Sequence, residues 1–240
     1  MSLPTTKTTP TSKFDLSTGI IYGAPKIGKS TLMAEIPNAL FFNLENGLKH
    51  LSVYSTPVLK TWEQVVTHTT EFLTTNNPFT TVVYDSTDIL YELATDHICK
   101  KLTISHPSKV GYGQAWQMIN TLILKLYNRI KDHPKKEIGV FFICHEKVTE
   151  IKTKGGGTIN RVELNIPDGL KKSLSARVDG IFRLTTIRVN TKDKEGKPAI
   201  EDQRVIQLRG DYTTEGGCRW GKDIPKYVPI SLDSLQEVFK

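Results

Sequence analysis

Gly19-Ile20-Ile21-Tyr22-Gly23-Ala24-Pro25-Lys26-Ile27-Gly28-Lys29-Ser30 joins an apolar, strand-like run to a glycine-containing turn. From Gly23 to Ser30 the turn matches the pattern GxxxxGK followed by Ser or Thr at every fixed position. A loop of this kind binds a nucleoside triphosphate. Its glycines let backbone N–H groups curl around phosphate oxygens, Lys29 reaches the β and γ oxygens, and the Ser30 hydroxyl is placed to ligate Mg²⁺. Residues 31–36 read as the helix that follows, and its N-terminus adds a favourable dipole. The expected nucleotide-binding set is therefore Gly23, Ala24, Pro25, Lys26, Ile27, Gly28, Lys29, Ser30 and Thr31, with ATP and Mg²⁺ as cofactors.

Working outward, short apolar runs alternate with helical spacing. Residues 39–43 (ALFFN) and 80–84 (TTVVY) read as strands, the first leading to Glu45 and the second stopping at Asp85; residues 138–144 form another. Between them, Trp62, Val65, Val66 and Phe72 mark a helix over 61–73, and further helices are expected at 88–102 and 115–131. This alternation predicts an α/β fold with a mostly parallel central sheet flanked by helices. From 145 to 168 the periodicity fades around Gly155-Gly156-Gly157, which reads as a mobile loop with room for a short hairpin. A short helix at 170–176, a strand at 180–185 and a β-hairpin at 189–208, turning near 193–197, lead into a C-terminal extension over 187–240. Residues 1–18, rich in Thr, Ser, Pro and Lys, read as a flexible, solvated tail, leaving 19–240 as one domain.

The chain has 240 residues, 38% of them hydrophobic, enough for a full core. Its formal charge of +7 favours an acidic polymer as partner. The three cysteines, Cys99, Cys144 and Cys218, lack CxxC spacing and outline neither a disulfide framework nor a zinc site. No apolar run approaches a membrane span and the N-terminus is not apolar, so the expectation is a soluble, cytoplasmic protein without a membrane partner.

Further groups carry candidate chemistry. Asp85, at the end of an apolar strand, reads as the carboxylate that holds Mg²⁺ together with Ser30, whereas Asp88 reads as a helix-start carboxylate. Glu45, at another strand's carboxyl end, is the candidate for polarising the attacking water. His145, immediately after the strand at 138–144, is placed to sense the γ-phosphate if its tautomer is fixed. Lys147, Lys152, Lys154 and Arg161 flank the glycine triplet as a basic segment suited to a phosphate backbone, and Tyr112, between Gly111 and Gly113, offers a ring for base stacking or for the core. Arg209, Arg219 and Lys222, with Lys226, are candidates for completing a neighbouring subunit's site, or else ordinary surface charge.

The order GAPKIGKS, FFNLENG, TTVVYDSTD, FFICHEK, glycine-rich segment, LKKSLSARVDGIFRL resembles the RecA-like recombinase core, and more closely the phage ATP-binding proteins of the Sak-type single-strand annealing group. The resemblance spans roughly residues 19–185. It implies a RecA-like P-loop NTPase fold, water activation by Glu45, Mg²⁺ handling by Asp85, and DNA-binding loops at about 104–114 and 146–168. His145 falls where RecA proteins usually carry the glutamine that couples nucleotide state to the second DNA loop. It also implies an ATPase stimulated by single-stranded DNA, assembled as a ring or filament, with a single-strand DNA-binding protein as a further candidate partner and the host cytoplasm as location. Two other classes share the same loop: a nucleotide-switched loader or scaffold of a replication complex acting on protein partners, and a small-molecule kinase. The kinase is disfavoured by the lack of a lid-like arginine cluster.

Overall fold

The computed structural model describes residues 5–7, 13–134, 137–152, 155–192, 197–221 and 223–239. The strands are β1 (Thr18–Gly23), β2 (Ala39–Asn43), β3 (Tyr54–Ser55), β4 (Thr81–Asp85), β5 (Gly139–Lys152), β6 (Thr158–Leu164), β7 (Gly180–Lys192), β8 (Pro198–Gln207), β9 (Gly217–Cys218) and β10 (Tyr227–Pro229). The helices are α1 (Lys29–Ala34), α2 (Trp62–Thr74), α3 (Thr87–Leu102), α4 (Gln114–Lys131), α5 (Asp168–Ser175) and α6 (Leu232–Val238). The sheet runs in the order β10, β8, β7, β1, β5, β4, β2, β3, with β7, β1, β5, β4, β2 and β3 parallel to their neighbours and β8 and β10 antiparallel.

Every residue of β1 and β4 is buried, as a parallel sheet covered on both faces requires. The period of two then divides the core into layers. Ile20, Tyr22, Phe42, Tyr84, Val140 and Phe142 face one layer with α2, α3 and α4, whereas Ile21, Phe41, Val83, Phe141 and Ile143 face the other with α1 and α6. On α4, Ala115, Ile119, Ile123, Leu126 and Ile130 recur every three or four residues, the stripe that seats it on the sheet. Helix α2 starts at Thr61, whose side chain accepts from the Gln64 N–H, while Gln64 Oε1 accepts from the N–H of Lys60 at 2.7 Å. Among the described residues no helix is long and apolar enough to cross a membrane.

Three expectations change. The tail reading fails for residues 13–18. A short 3₁₀ turn, Phe14–Leu16, drives Phe14 into complete burial, with its ring stacked 5.5 Å from Phe239 and tilted 5.0 Å from Phe141. The Asp15 carbonyl accepts from Thr81 Oγ1 at 2.7 Å and lies where a side chain at Gly139 would be, so this turn is built onto the amino ends of the central strands β4 and β5. One aromatic ring supplies enough buried area to order a polar stretch. Residues 5–7 are exposed, and 1–4 and 8–12 lie outside the described residues.

The span 145–168 is not mainly a loop. β5 continues through His145 to Lys152 and pairs antiparallel with β6 from Glu146↔Leu164 to Lys152↔Thr158. Val148, Thr149, Ile151, Ile159 and Val162 are the β-branched residues that favour this ribbon, and the glycine triplet belongs to its turn rather than to a long loop. Likewise, the strand at 180–185 and the first arm of the C-terminal hairpin are one strand, β7, paired with β8 from Arg183↔Gln207 to Lys192↔Pro198. Of its expected turn at 193–197, residues 193–196 lie outside the described residues.

Replacing Phe14 by alanine should lower the unfolding free energy by about 3–5 kcal/mol in a denaturant titration, the cost of emptying an aromatic core site. A solvated segment would shift it by less than about 0.5 kcal/mol.

Candidate functional site

The parallel register decides what meets at the carboxyl edge. Gly23 lies opposite His145, and Asp85 lies opposite Ile143 on one side and Asn43 on the other. A cleft of about 510 Å³ opens there, lined by Pro25, Lys26, Gly28, Lys29, Ser30 and Thr31 of the loop and by Glu45, Asp85 and His145 from the strand ends. Gly28 has φ +111° with open space where a side chain would project, the cradle a phosphate needs. Gly23 serves packing: a Cβ there would meet the Leu184 carbonyl oxygen at 2.3 Å. Ile27 packs against the second core layer, and the Ala24 carbonyl accepts from Lys29.

Lys29 is only 6% exposed, and its Nζ donates to the carbonyls of Gly23 at 3.0 Å and Ala24 at 2.9 Å. Burial pulls its pKa below the ordinary lysine value, opposed by Glu45, Asp85 and Asp88. Ser30 Oγ donates to Asp85 Oδ2 at 2.7 Å. Burial raises the Asp85 pKa, and the Ser30 hydrogen bond and the Lys29 charge counter it. A hydroxyl and a carboxylate in contact are hard oxygen donors of the type a small divalent cation takes, with water and phosphate completing the shell, so the residues present fit such an ion.

Beside this pair stands a second cluster. Glu45 Oε1 accepts from Ser86 Oγ, and His145 Nδ1 lies 2.7 Å from Asp88 Oδ2 and 3.7 Å from Glu45 Oε1. Asp88 stands in the first turn of α3, as expected of a helix-start carboxylate, and in addition contacts His145; helix α3 has no side-chain cap bond at Ser86. Asp88, Ser86, and the cleft residues His50 and Leu51 were missed by sequence reasoning. For Asp88 a signal existed: it stands three residues after Asp85, in the first turn of α3. Cys144, next to His145, is fully buried and its thiol is pushed up to about 12 by burial, a core role.

The other candidate residues lie outside the cleft lining. Tyr112 is 99% exposed at φ 56°, which removes the core-packing alternative. Lys147 pairs with Glu163 at 3.6 Å, and Arg161 reaches Glu215 at 3.9 Å, while Lys152 is exposed. Arg219 pairs with Asp179 at 3.7 Å and Lys226 with Asp211 at 2.9 Å; Arg209 is exposed. Lys154 and Lys222 lie outside the described residues. The ribbon itself is docked: Val162 N–H donates to the Thr213 carbonyl at 2.8 Å, and Leu164 N–H donates to Glu215 Oε2 at 3.2 Å.

A parallel α/β sheet with a phosphate loop after its first strand and a carboxylate after a nearby one defines a P-loop ATPase, a class that uses ATP with a divalent metal. The AAA domain family model (AAA_24) matches residues 17–220, and the chain belongs to that family. No curated protein matches it. Among solved structures, the flagellar accessory protein FlaH from Methanocaldococcus jannaschii is similar at a TM-score of 0.39 and 9% identity, over 80% of this chain and 77% of that one.

The ribbon's anchoring makes a pH test possible. Burial works against the charged form of Glu163, but Lys171, 2.6 Å away, and Lys147 outweigh it and hold the carboxyl below the ordinary glutamate value. Its contribution is therefore present above the unfolded pKa of about 4.3 and is lost as pH falls through the lower folded value. Glu163→Gln should cost about 1–3 kcal/mol at pH 7. In urea titrations across pH, the difference from wild type should vanish at the acid end.

Proposed function

We infer that the chain is a Mg²⁺-dependent ATPase that grips single-stranded DNA and promotes annealing or strand exchange as a ring or filament. This is the role of the Sak-type phage proteins that its motif order resembles, with the host cytoplasm as location and a single-strand DNA-binding protein as a further partner. The observation that carries the reading is β5, which holds His145 in the nucleotide cleft and continues without a break into the ribbon ending at Lys152. A change at the γ-phosphate end of the cleft then acts on the ribbon through one strand, biasing its position by the difference in contact between ATP and ADP.

In this reading Lys29 binds the β and γ oxygens and the loop N–H groups from Gly23 to Thr31, Pro25 having none, hold the phosphates. Ser30 and Asp85 hold Mg²⁺, which supplies charge neutralisation on the phosphates when bound. Glu45, with one oxygen tied to Ser86, takes the proton of the attacking water. Lys147, Lys152, Lys154 and Arg161 follow the DNA backbone and Tyr112 stacks on a base, the two segments at about 104–114 and 146–168 acting as DNA loops. Arg209, Arg219 and Lys222 serve the neighbouring subunit's site.

One observation favours a protein partner instead. Lys147 and Arg161 already face carboxylates, and the ribbon exposes Val148 at 62% beside Glu150. That surface suits a nucleotide-switched loader or scaffold.

ATP hydrolysis measured with and without single-stranded DNA across a salt series separates the two. DNA stimulation that fades as salt rises is expected; turnover indifferent to DNA, with no DNA binding at low salt, transfers the proposal to the protein-directed switch. Lys29→Ala should abolish ATP binding. Glu45→Gln should keep binding and lose about 10²- to 10⁴-fold in kcat, and wild-type turnover would remove Glu45 from the mechanism.

A further inference from the structure

His145 and Asp88 form a directed pair. Asp88 Oδ2 lies 2.7 Å from His145 Nδ1, and an ionised carboxylate only accepts hydrogen bonds. The proton of a neutral His145 must therefore sit on Nδ1. That leaves Nε2 with its lone pair, and His145 lines the nucleotide cleft while Asp88 does not. Neutral Nε2 in this tautomer cannot donate to a phosphate oxygen, which itself offers only acceptors. Its partner has to be a donor.

Glu45, Asp88 and His145 present atoms all within 4.8 Å of one another, so a metal ion is the competing occupant. The 2.7 Å separation argues for a hydrogen bond. Two ligands of a tetrahedral zinc at its usual bond lengths sit about 3.3 Å apart. Glu45, at 3.7 Å from the same Nδ1 and bonded to Ser86, does not compete for that proton.

We propose that Asp88 is a positioning residue: it fixes His145 as the Nδ1–H tautomer and aims Nε2 into the cleft, where it accepts a hydrogen bond from the water that attacks the γ-phosphate. His145 thereby reads the water rather than the phosphate, beside the carboxylate of Glu45 that takes the proton. The inference rests on the cleft being the ATP site, which Lys29→Ala tests separately by nucleotide binding. Its own first readout needs no nucleotide.

The chain has six histidines. In the full-length protein labelled with ¹⁵N-histidine, long-range ¹⁵N–¹H correlations report the tautomer, and His145→Gln identifies the His145 signals by their loss. Wild type should show the Nδ1–H form, and Asp88→Ala should release the ring to the Nε2–H form. Asp88→Asn, nearly the same size, should lower kcat by about 10- to 100-fold with KM within about threefold of wild type, the split expected of a group that orients a reactant without binding the nucleotide. An Nε2–H or doubly protonated His145 in the wild-type spectrum at the assay pH would overturn the proposal. So would an unchanged tautomer in Asp88→Ala, or wild-type kcat in Asp88→Asn.

Discussion

Gly23 opposite His145, and Asp85 opposite both Ile143 and Asn43, are rungs of one parallel ladder, and the cleft depends on that ladder's register. A slip of one residue in β5 would turn Phe142 and Ile143 to each other's core layers and move His145 away from Asp88. The apolar alternation that separates the two layers is therefore also what aligns the chemistry. Fold and site are specified by the same side chains, because Ile20, Val83 and Phe141 fit only the layer they face. The phosphate loop needs no scaffold of its own beyond the end of a strand that cannot shift.

Within that frame the cleft concentrates charge that folding alone does not favour. Lys29 is nearly buried with two backbone carbonyls as its nearest partners, and Asp85 is nearly buried with a hydroxyl as its partner. Burial disfavours the charged form of each, and the mutual attraction of opposite charges offsets only part of that cost. Phosphate oxygens would bring negative charge to Lys29, and a divalent cation would bring positive charge to Asp85. The binding energy of nucleotide and metal is thus drawn partly from groups already removed from water, which strengthens each contact in the low-dielectric setting.

The sequence made the core of this arrangement legible. The loop from Gly23 to Ser30, the strand ending at Asp85 and the helices over α2, α3 and α4 follow from local period and fixed spacing, which leave little choice of conformation. Phe14 was hidden because one aromatic residue among Thr, Ser and Lys has no period, and its burial depends on Phe141 and Phe239, far away in sequence. The ribbon was legible only as room for a short hairpin, for a related reason. Its alternation of apolar and charged residues resembles a polar loop unless the partner strand across Gly155-Gly156-Gly157 is considered together with it. Asp88 was readable as a helix-start acid because that is what one turn of local structure allows; only the β5 register brings His145 to it.

That last case shows how direction enters a site. Distances alone would make His145 a plausible donor to phosphate, as its place after a central strand implies. With Asp88 as the ionised acceptor, as proposed, the neutral ring has no proton left for that contact. In the proposed arrangement a carboxylate three residues beyond Asp85 sets the proton position of a residue 57 positions later. Because His145 lies on the strand that becomes the ribbon, whatever constrains the ring also constrains the backbone leading out of the cleft. The His145 contact with Asp88 and the ribbon therefore belong to one continuous strand, β5.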